Sequence, residues 1–210
     1  MSIFKIILDF FLHIDKNLGI IIQTYGTLSY VILFFVIFME TGFVVTPFLP
    51  GDSLLFAAGA FAAQGSFSIP LLFILLIIAA FLGDTVNYWI GHFLGPKVFE
   101  KDHRFLKKEH LRKAQVFYQK HGGKAIILAR FVPIVRTFAP FVAGIGTMNY
   151  PKFISYNLIG GVAWVTTFLF GGYFFGTIPF IQKNFEFVMV AIILISIVPI
   201  LIEKFKATKD

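Results

Sequence analysis

The chain contains no cysteine among its 210 residues, which excludes disulfides, a thiolate nucleophile and a cysteine-ligated metal. It also has no P-loop, no Gly-x-Gly-x-x-Gly and no His-Glu-x-x-His, so no motif supports nucleotide hydrolysis or zinc proteolysis. Charged side chains are scarce, at 14% against 58% hydrophobic, and the mean hydropathy is +0.84. The core of a soluble domain of this size is too small for so many apolar side chains. The composition therefore predicts a membrane protein, and we expect neither a cofactor nor an enzymatic activity.

Basic residues are missing from one long stretch and crowded into the next. No Lys or Arg occurs between Asn17 and Pro96, whereas nine basic residues and three acids lie between Lys97 and Lys124. Cytoplasmic loops carry the excess of Lys and Arg in membrane proteins, so we predict that this segment is cytoplasmic. Basic residues near both termini favour the same side, which requires an even number of crossings. The net charge of +7 thus indicates membrane topology and not a nucleic-acid partner.

The hydrophobic runs predict an all-α polytopic membrane protein with a single membrane domain. A spanning helix needs about 20 apolar residues. Runs long enough to span occur at 27–45, 69–93, 152–178 and 184–203. The remaining segments are predicted as an interfacial N-terminal helix (1–26), a first re-entrant loop (46–66), a basic amphipathic helix on the cytoplasmic leaflet (97–124), a second re-entrant loop (125–148) and a cytoplasmic tail (204–210).

The two predicted re-entrant loops are apolar stretches interrupted by proline and glycine. The first contains Pro50 and Gly51, and the second contains Pro133 and Pro140. A full crossing by either stretch would place the basic flanks on the wrong side, whereas a loop that returns to its own side would not. Irregular backbone at membrane depth is tolerated only where it is buried in protein or lines a watery cavity. We therefore predict that both loops lie at the centre of the molecule.

The helices that follow the two broken segments end alike. Residues 91–95 read Gly-His-Phe-Leu-Gly, and residues 172–176 read Gly-Tyr-Phe-Phe-Gly. In the predicted topology these two helices run in opposite directions, as in an inverted-topology repeat. Paired segments broken by Gly and Pro in the two halves of a transporter point to a transport site between them.

Five charged residues fall where the membrane interior is predicted: Arg130, Arg136, Glu40, Asp52 and Asp84. A central Arg costs about 2.5–3.5 kcal/mol even on a lenient insertion scale, so two of them need a reason. The Arg guanidinium binds phosphate through two parallel hydrogen bonds. Two arginines six residues apart around a proline could therefore hold one phosphate monoester. Because Arg does not titrate, any proton coupling would pass through the three acids.

Two interpretations of these charges are open. In one, the carboxylates neutralise the arginines in buried ion pairs that only pin the fold, although such pairs stabilise poorly compared with apolar packing. In the other, Glu40 and Asp52 pair with the arginines in the empty site, a phosphate displaces them, and they take protons from the outer side until release inward restores the pairs. Trp164 is interpreted as a packing residue or interfacial anchor, and Tyr118 as part of the apolar face of the cytoplasmic helix.

Four segments together resemble the DedA family, also called the SNARE-associated or VTT-domain group. They are Glu40-Thr41-Gly42 with the run from Pro47 to Leu55, Gly83-Asp84 with Tyr88 and Gly91, the run from Lys120 to Lys124, and the run from Arg130 to Gly144. The resemblance implies a bacterial inner-membrane protein with two facing re-entrant loops. It implies a family linked to envelope maintenance, to the proton motive force and to translocation of polyprenyl phosphate or other phospholipids. It also implies that Glu40 and Asp52 are a functional acidic pair and that Arg130 and Arg136 are functional arginines.

Residues and resemblance together predict a flippase that uses the proton motive force to move undecaprenyl phosphate, or a similar anionic phospholipid, across the bacterial inner membrane. The expected partners are the lipid phosphate headgroup, membrane lipids and protons, and a chain this short suggests a homo-oligomer. Both termini are expected in the cytoplasm. The predicted roles are substrate binding for Arg130 and Arg136, proton coupling for Glu40 and Asp52, and support for Asp84, Pro50, Gly51, Pro133 and Pro140.

Three alternatives remain at this stage. An energy-independent scramblase would use the same arginines, whereas a proton/cation antiporter for osmotic and pH homeostasis has no use for two central cations. A membrane phosphatase would need a nucleophile near the arginines. The nearest histidine in sequence, His121, lies nine residues before Arg130.

Overall fold

A computed structural model of the chain describes residues 14–43, 51–94, 115–116, 118–185, 187–188 and 190–192. Within these ranges all regular structure is helical, so the predicted all-α class is confirmed. Several predictions lie outside the described residues. They concern residues 1–13, the start of the first re-entrant loop including Pro50, most of the basic helix at 97–124, and most of the last span with the tail.

The helices are α1 (Ile14–Tyr25), α2 (Leu28–Gly42), α3 (Gly51–Ala63), α4 (Ile69–Leu94), α5 (Ala125–Ala129), α6 (Pro133–Val142), α7 (Tyr150–Val165), α8 (Gly171–Phe175) and α9 (Pro179–Lys183). A 3-10 turn, Gly122–Lys124, precedes α5, and π-helical segments continue α6 over Ala143–Thr147 and α7 over Thr166–Phe170. Helix α4 and the continuous helix Tyr150–Phe175 have 26 residues each and are apolar enough to cross a membrane. At 1.5 Å per residue each is about 39 Å long, which exceeds a hydrocarbon core of about 30 Å.

Two helices expose stripes of large apolar side chains. The stripes are Leu28, Val31, Phe35 and Met39 on α2, and Leu71, Ile74, Ile78 and Leu82 on α4. Steps of three and four residues keep each stripe on one helix face. Apolar patches of this kind mark contact with lipid or with another protein, and a hydrocarbon environment solvates them. The stripes therefore agree with the membrane location that the composition predicts.

Contacts divide the chain into two compact units. The first comprises residues 1–34, 50–76 and 165–210, and the second comprises residues 35–49 and 77–164. In the first unit, α3 packs directly on the C-terminal part of the helix Tyr150–Phe175. A Cβ atom added at Gly59 would overlap the carbonyl oxygen of Leu169, and one added at Gly172 would overlap the carbonyl oxygen of Phe56. The two backbones therefore touch at these glycines.

The second unit contains the same kind of crossing between α4 and the helix of the second broken segment. A Cβ atom added at Gly91 would overlap the carbonyl oxygen of Phe141, and one added at Gly144 would overlap that of Tyr88. In both units, each glycine meets the residue that lies three positions before the glycine of the partner helix. The glycines that open the two similar pentapeptides, Gly91 and Gly172, thus have equivalent places in the two crossings.

The core of the second unit includes Tyr118. Its side chain is 7% exposed and belongs to a buried cluster with Tyr88, Phe141 and Phe153. Tyr118 was predicted on the apolar face of an interfacial helix, but the structure buries it against protein. The aromatic neighbours on α4 and α7 supply the apolar surface that the sequence pattern assigned to lipid.

Candidate functional site

Helices α2 and α4 approach closely where they carry the acids of the second unit. A Cβ atom added at Gly42 would lie 3.4 Å from Gly83, and one added at Gly83 would overlap the hydroxyl oxygen of Thr41. Small residues at a crossing let helix backbones come together, as is common between helices in membranes. The neighbouring acids, Glu40 and Asp84, are consequently both buried in this unit.

A buried amide fixes the helices around this crossing. Asn87, on α4, donates from Nδ2 to the carbonyl oxygens of Thr41 at 3.2 Å and Thr137 at 2.8 Å. These two bonds join α4 to α2 and to α6. Sequence reasoning missed Asn87, since one amide on an apolar helix has no periodic signal of its own.

Arg130 lies in the turn between α5 and α6 and is buried. Its Nη2 donates to Oδ2 of Asp84 at 2.5 Å and to Oδ1 of Asn157 at 2.6 Å. The Nδ2 of Asn157 donates in turn to the carbonyl oxygen of Phe81 at 3.1 Å, which orients the amide with its oxygen toward the guanidinium. Asp84 was predicted only to support the site, but it is the ion-pair partner of Arg130. Asn157 was not predicted at all.

Arg136 lies on α6 and pairs with the second acid. Its Nη2 donates to Oε1 of Glu40 at 2.5 Å, and the two side chains are 10% and 3% exposed. Pro133 is the first residue of α6, after Val132 in extended conformation, which suits its fixed φ and missing N–H. A cation in the N-terminal half of a helix opposes the helix dipole, so the carboxylate of Glu40 also offsets that unfavourable interaction.

The second proline of the broken segment lies inside α6. Pro140 is buried and occupies the position whose N–H would bond the carbonyl of Arg136 in a regular helix. It cannot make that bond, because proline has no N–H. The helix then continues as π-helix over Ala143–Thr147 and reaches Gly146 with φ of 114°, a left-handed value that favours glycine. The predicted irregularity of this segment is therefore present in its backbone.

Trp164 lies beneath both guanidinium groups. Its ring centroid is 4.8 Å from Cζ of Arg136 and 5.9 Å from Cζ of Arg130. A desolvated cation over an indole ring gains about 2 kcal/mol. Asn157, Gly161 and Trp164 follow one another at helical spacing on α7, and a Cβ added at Gly161 would lie only 3.6 Å from Arg130. Trp164 is fully buried, so the interpretation as a packing residue is confirmed, and its ring also lies against both guanidinium groups.

The space between these groups is small. A cavity lined by Thr41, Asp84, Arg130, Arg136, Thr137 and Trp164 has a volume of about 10 Å³. That is about the free space one water molecule needs. The two arginines and their two carboxylates sum to zero charge, so the closed site is electrically balanced. A phosphate can enter only if the carboxylates move away from the arginines.

One donor in the closed site is not used. The Nε of Arg130 is buried and has no hydrogen-bond partner among the residues that the structure describes. Gly160 lies against it, because a Cβ added there would be 3.2 Å from Nε. A buried donor without an acceptor is costly, by about 1–3 kcal/mol, so an anion that reached it would gain that contact.

The remaining predicted site residues lie elsewhere. Asp52 and Gly51 form the first turn of α3 in the first unit, and both are buried. An acid in the first turn is favoured by the helix dipole. The pairing of Asp52 with an arginine stays a prediction.

The exposed apolar stripes, the two long apolar helices and the ion pairs inside the helices are typical of an integral membrane protein with an internal polar site. The VTT domain matches residues 49–174. Protein DedA of Escherichia coli K12 is 52% identical over 206 residues, which cover 97% of this chain and 94% of DedA. An uncharacterized membrane protein of Mycobacterium tuberculosis is 42% identical over 170 residues, covering 80% of this chain and 74% of the relative. The inner membrane protein YqjA of Escherichia coli is 34% identical over 170 residues, covering 80% and 77%. No solved structure matches the chain.

The chain therefore belongs to the VTT-domain, or DedA, family of membrane proteins. This confirms the family predicted from the four sequence segments. Two of the relatives are named as membrane or inner membrane proteins, in agreement with the composition and the exposed stripes.

Proposed function

We propose that the protein is a proton-coupled flippase, without enzymatic activity, for a lipid with a phosphate headgroup. Undecaprenyl phosphate or a similar anionic phospholipid would cross the bacterial inner membrane through it. The observation that carries the proposal is the pair of arginines on Trp164, Arg130 buried and Arg136 10% exposed, each held by one carboxylate at 2.5 Å. Guanidinium groups bind phosphate by charge-assisted, bidentate hydrogen bonds, which suits them to this headgroup.

Charge balance links phosphate binding to protonation. In the closed site Glu40 and Asp84 neutralise Arg136 and Arg130. A phosphate that replaces them brings its own negative charge, and two displaced carboxylates in a desolvated site would be strongly unfavourable as anions. Protonation of the carboxyl groups removes that penalty. Uptake of the lipid on the acidic side would thus carry protons, and release on the other side would restore the ion pairs.

The membrane arrangement is part of the proposal. Both ends of the second broken segment border one cavity, since Gly122 and Gly123 line it together with Gly146 and Asn149. A segment whose two ends meet in this way supports a re-entrant loop. We propose four crossings and two such loops, with both termini in the cytoplasm. The isoprenoid or acyl tail would remain in the bilayer while only the headgroup passes the arginines.

Transport in liposomes tests the function directly. The protein would be reconstituted with a labelled polyprenyl phosphate, and the rate of translocation measured with and without an imposed pH gradient. We expect the gradient to accelerate transport in the direction of proton flow. A translocation rate that does not depend on the pH gradient would indicate a scramblase, and release of inorganic phosphate would indicate an enzyme.

Arg136→Lys tests the phosphate role of the arginines in the same assay. Lysine keeps the positive charge but loses the paired N–H donors with which a guanidinium binds phosphate bidentately. Loss of a hydrogen bond to a charged group costs about 1.5–3 kcal/mol, so we expect transport to fall about 10- to 100-fold. Lys183→Arg, at an exposed position on α9, is the control and should transport normally. Full activity of Arg136→Lys would remove this residue from phosphate binding.

A further inference from the structure

A second, larger cavity lies in the second unit apart from the arginine site. Its volume is about 760 Å³, against about 10 Å³ between the arginines. Its polar lining consists of Gln115, Gln119, Asn149 and Lys152, all of which are exposed at its rim. A space of this size accommodates a phosphate headgroup, and one cation among three amides suits a polar group of single negative charge.

Tyr118 is the buried residue among the polar side chains that line this cavity. Its hydroxyl is buried and has no hydrogen-bond partner in the described part of the chain. Burial raises the pKa of Tyr118, and the Asp84 carboxylate and the Tyr88 hydroxyl raise it further. The hydroxyl therefore keeps its proton at neutral pH and is a permanent donor. An unsatisfied buried hydroxyl is unfavourable by about 1–3 kcal/mol, which is recovered when an acceptor arrives.

Helix α4 connects the cavity wall to the arginine site. The hydroxyl of Tyr88 donates to the carbonyl oxygen of Met148 at 2.9 Å, and Met148 lines the cavity. Asp84 precedes Tyr88 by one helical turn, which is a rise of about 6 Å. The same helix thus contacts a residue that lines the cavity and carries the partner of Arg130.

We infer that this cavity is a vestibule that holds the phosphate headgroup of an anionic lipid next to the arginine site. We also infer that the Tyr118 hydroxyl donates a hydrogen bond to the headgroup as it passes between the cavity and the arginines. The inference rests on the proposed function. Lys152 supplies the charge that attracts the headgroup, and the single cation holds it less tightly than the two arginines would. Such graded binding lets the headgroup enter or leave.

The absence of cysteine makes the vestibule accessible to a direct binding test. Asn149→Cys places one thiol in the cavity wall, and Gln182→Cys, exposed in the first unit, is the control. The full-length variants would be placed in nanodiscs, and the rate of reaction with a charged maleimide measured in neutral lipid, with polyprenyl phosphate added, and with inorganic phosphate added. At a lipid concentration of about ten times Kd, bound headgroup should slow labelling of Asn149→Cys about tenfold. Labelling of Gln182→Cys should not change.

The ligand arms separate the sources of phosphate. Protection by the lipid, with or without protection by inorganic phosphate, supports the vestibule. Protection by inorganic phosphate alone would overturn it in favour of a site for the free ion, and protection by neither would overturn it outright. Lys152→Gln in the Asn149→Cys background should weaken the protection by the lipid, and an unchanged protection would contradict the role of that cation.

Two further measurements distinguish this inference from the proposed function. Tyr118→Phe removes one oxygen and keeps the ring, so we expect slower transport at an unchanged or higher Tm. A merely structural hydroxyl would leave transport unchanged. If wild-type liposomes show no transport, the proposed function fails whatever the labelling shows. If transport depends on Arg136 but Asn149→Cys is never protected, only the vestibule fails.

Discussion

The ion pair between Asp84 and Arg130 separates a structural role of the buried charges from a transport role. The side chains of Asp84 and Arg130 are buried, at 6% and 5% exposure, and their polar atoms lie 2.5 Å apart. Removing one partner of a buried pair leaves an uncompensated charge and costs about 3–5 kcal/mol. A chain of this length loses about 2–4 °C in Tm per kcal/mol. We therefore expect Asp84→Leu and Arg130→Met each to lower the Tm by about 6–20 °C.

The double variant has a different expected outcome. Asp84→Leu with Arg130→Met removes both charges together and fills the space with apolar atoms, which is often neutral for stability. We expect its Tm to lie well above that of either single variant. This difference would measure the interaction between the two residues in a double-mutant cycle. The assay is thermal unfolding of the purified protein in detergent. Lys183→Gln, on the surface, is the control and should change stability by less than about 0.5 kcal/mol.

Transport by the double variant decides between the two roles. A stable protein that no longer moves the lipid would show that the charges serve transport. A stable protein with normal transport would show that the pair only pins the fold and would refute the transport role of Arg130. Losses of Tm that simply add in the double variant would refute the pairing itself.

Three other predictions follow from neighbouring contacts. Gly144→Ala should lower stability by about 1–3 kcal/mol or more in thermal unfolding, because its Cβ would overlap a carbonyl oxygen of α4. Gly161→Ala, whose Cβ would meet its nearest atom at 3.6 Å, should be neutral, and equal losses in the two variants would contradict the backbone contact. Trp164→Leu should remove the cation–π attraction, about 1–2 kcal/mol, and slow transport. Trp164→Phe should keep most of the attraction and most of the transport rate, and equal effects of the two changes would argue against a cation–π role of Trp164. Glu40→Gln keeps an acceptor oxygen but cannot exchange a proton, so transport in liposomes should lose most of its response to an imposed pH gradient. An unchanged response would show that Glu40 has no part in proton coupling.

The membrane class and the arginines could be predicted because they are anomalies of composition. Few charges occur in the apolar segments, so Arg130, Arg136 and Glu40 stand out in the sequence, and the structure brings Glu40 to Arg136. The all-helical fold followed from the length of the apolar runs. Each of these inferences depends on the local sequence alone.

The partner choice and the contact of Trp164 with the arginines could not be predicted in the same way. Asp84 lies 46 residues from Arg130, and their contact depends on how far α4 is rotated at the glycine crossing. Trp164 has the sequence context of any aromatic residue in a spanning helix, and its contact with Arg130 depends on how that side chain packs against Gly160, where a Cβ atom would lie 3.2 Å away. Tertiary packing, which sequence periodicity does not encode, determines both.

The small volume between the arginines has an electrical consequence. An energised membrane is a charged capacitor, and a continuous thread of water through a protein would discharge it. The free space of about 10 Å³ between the ion pairs has room for about one water molecule, so no chain of water passes between the arginines in this conformation. A water path through the arginine site would require the salt bridges to open first.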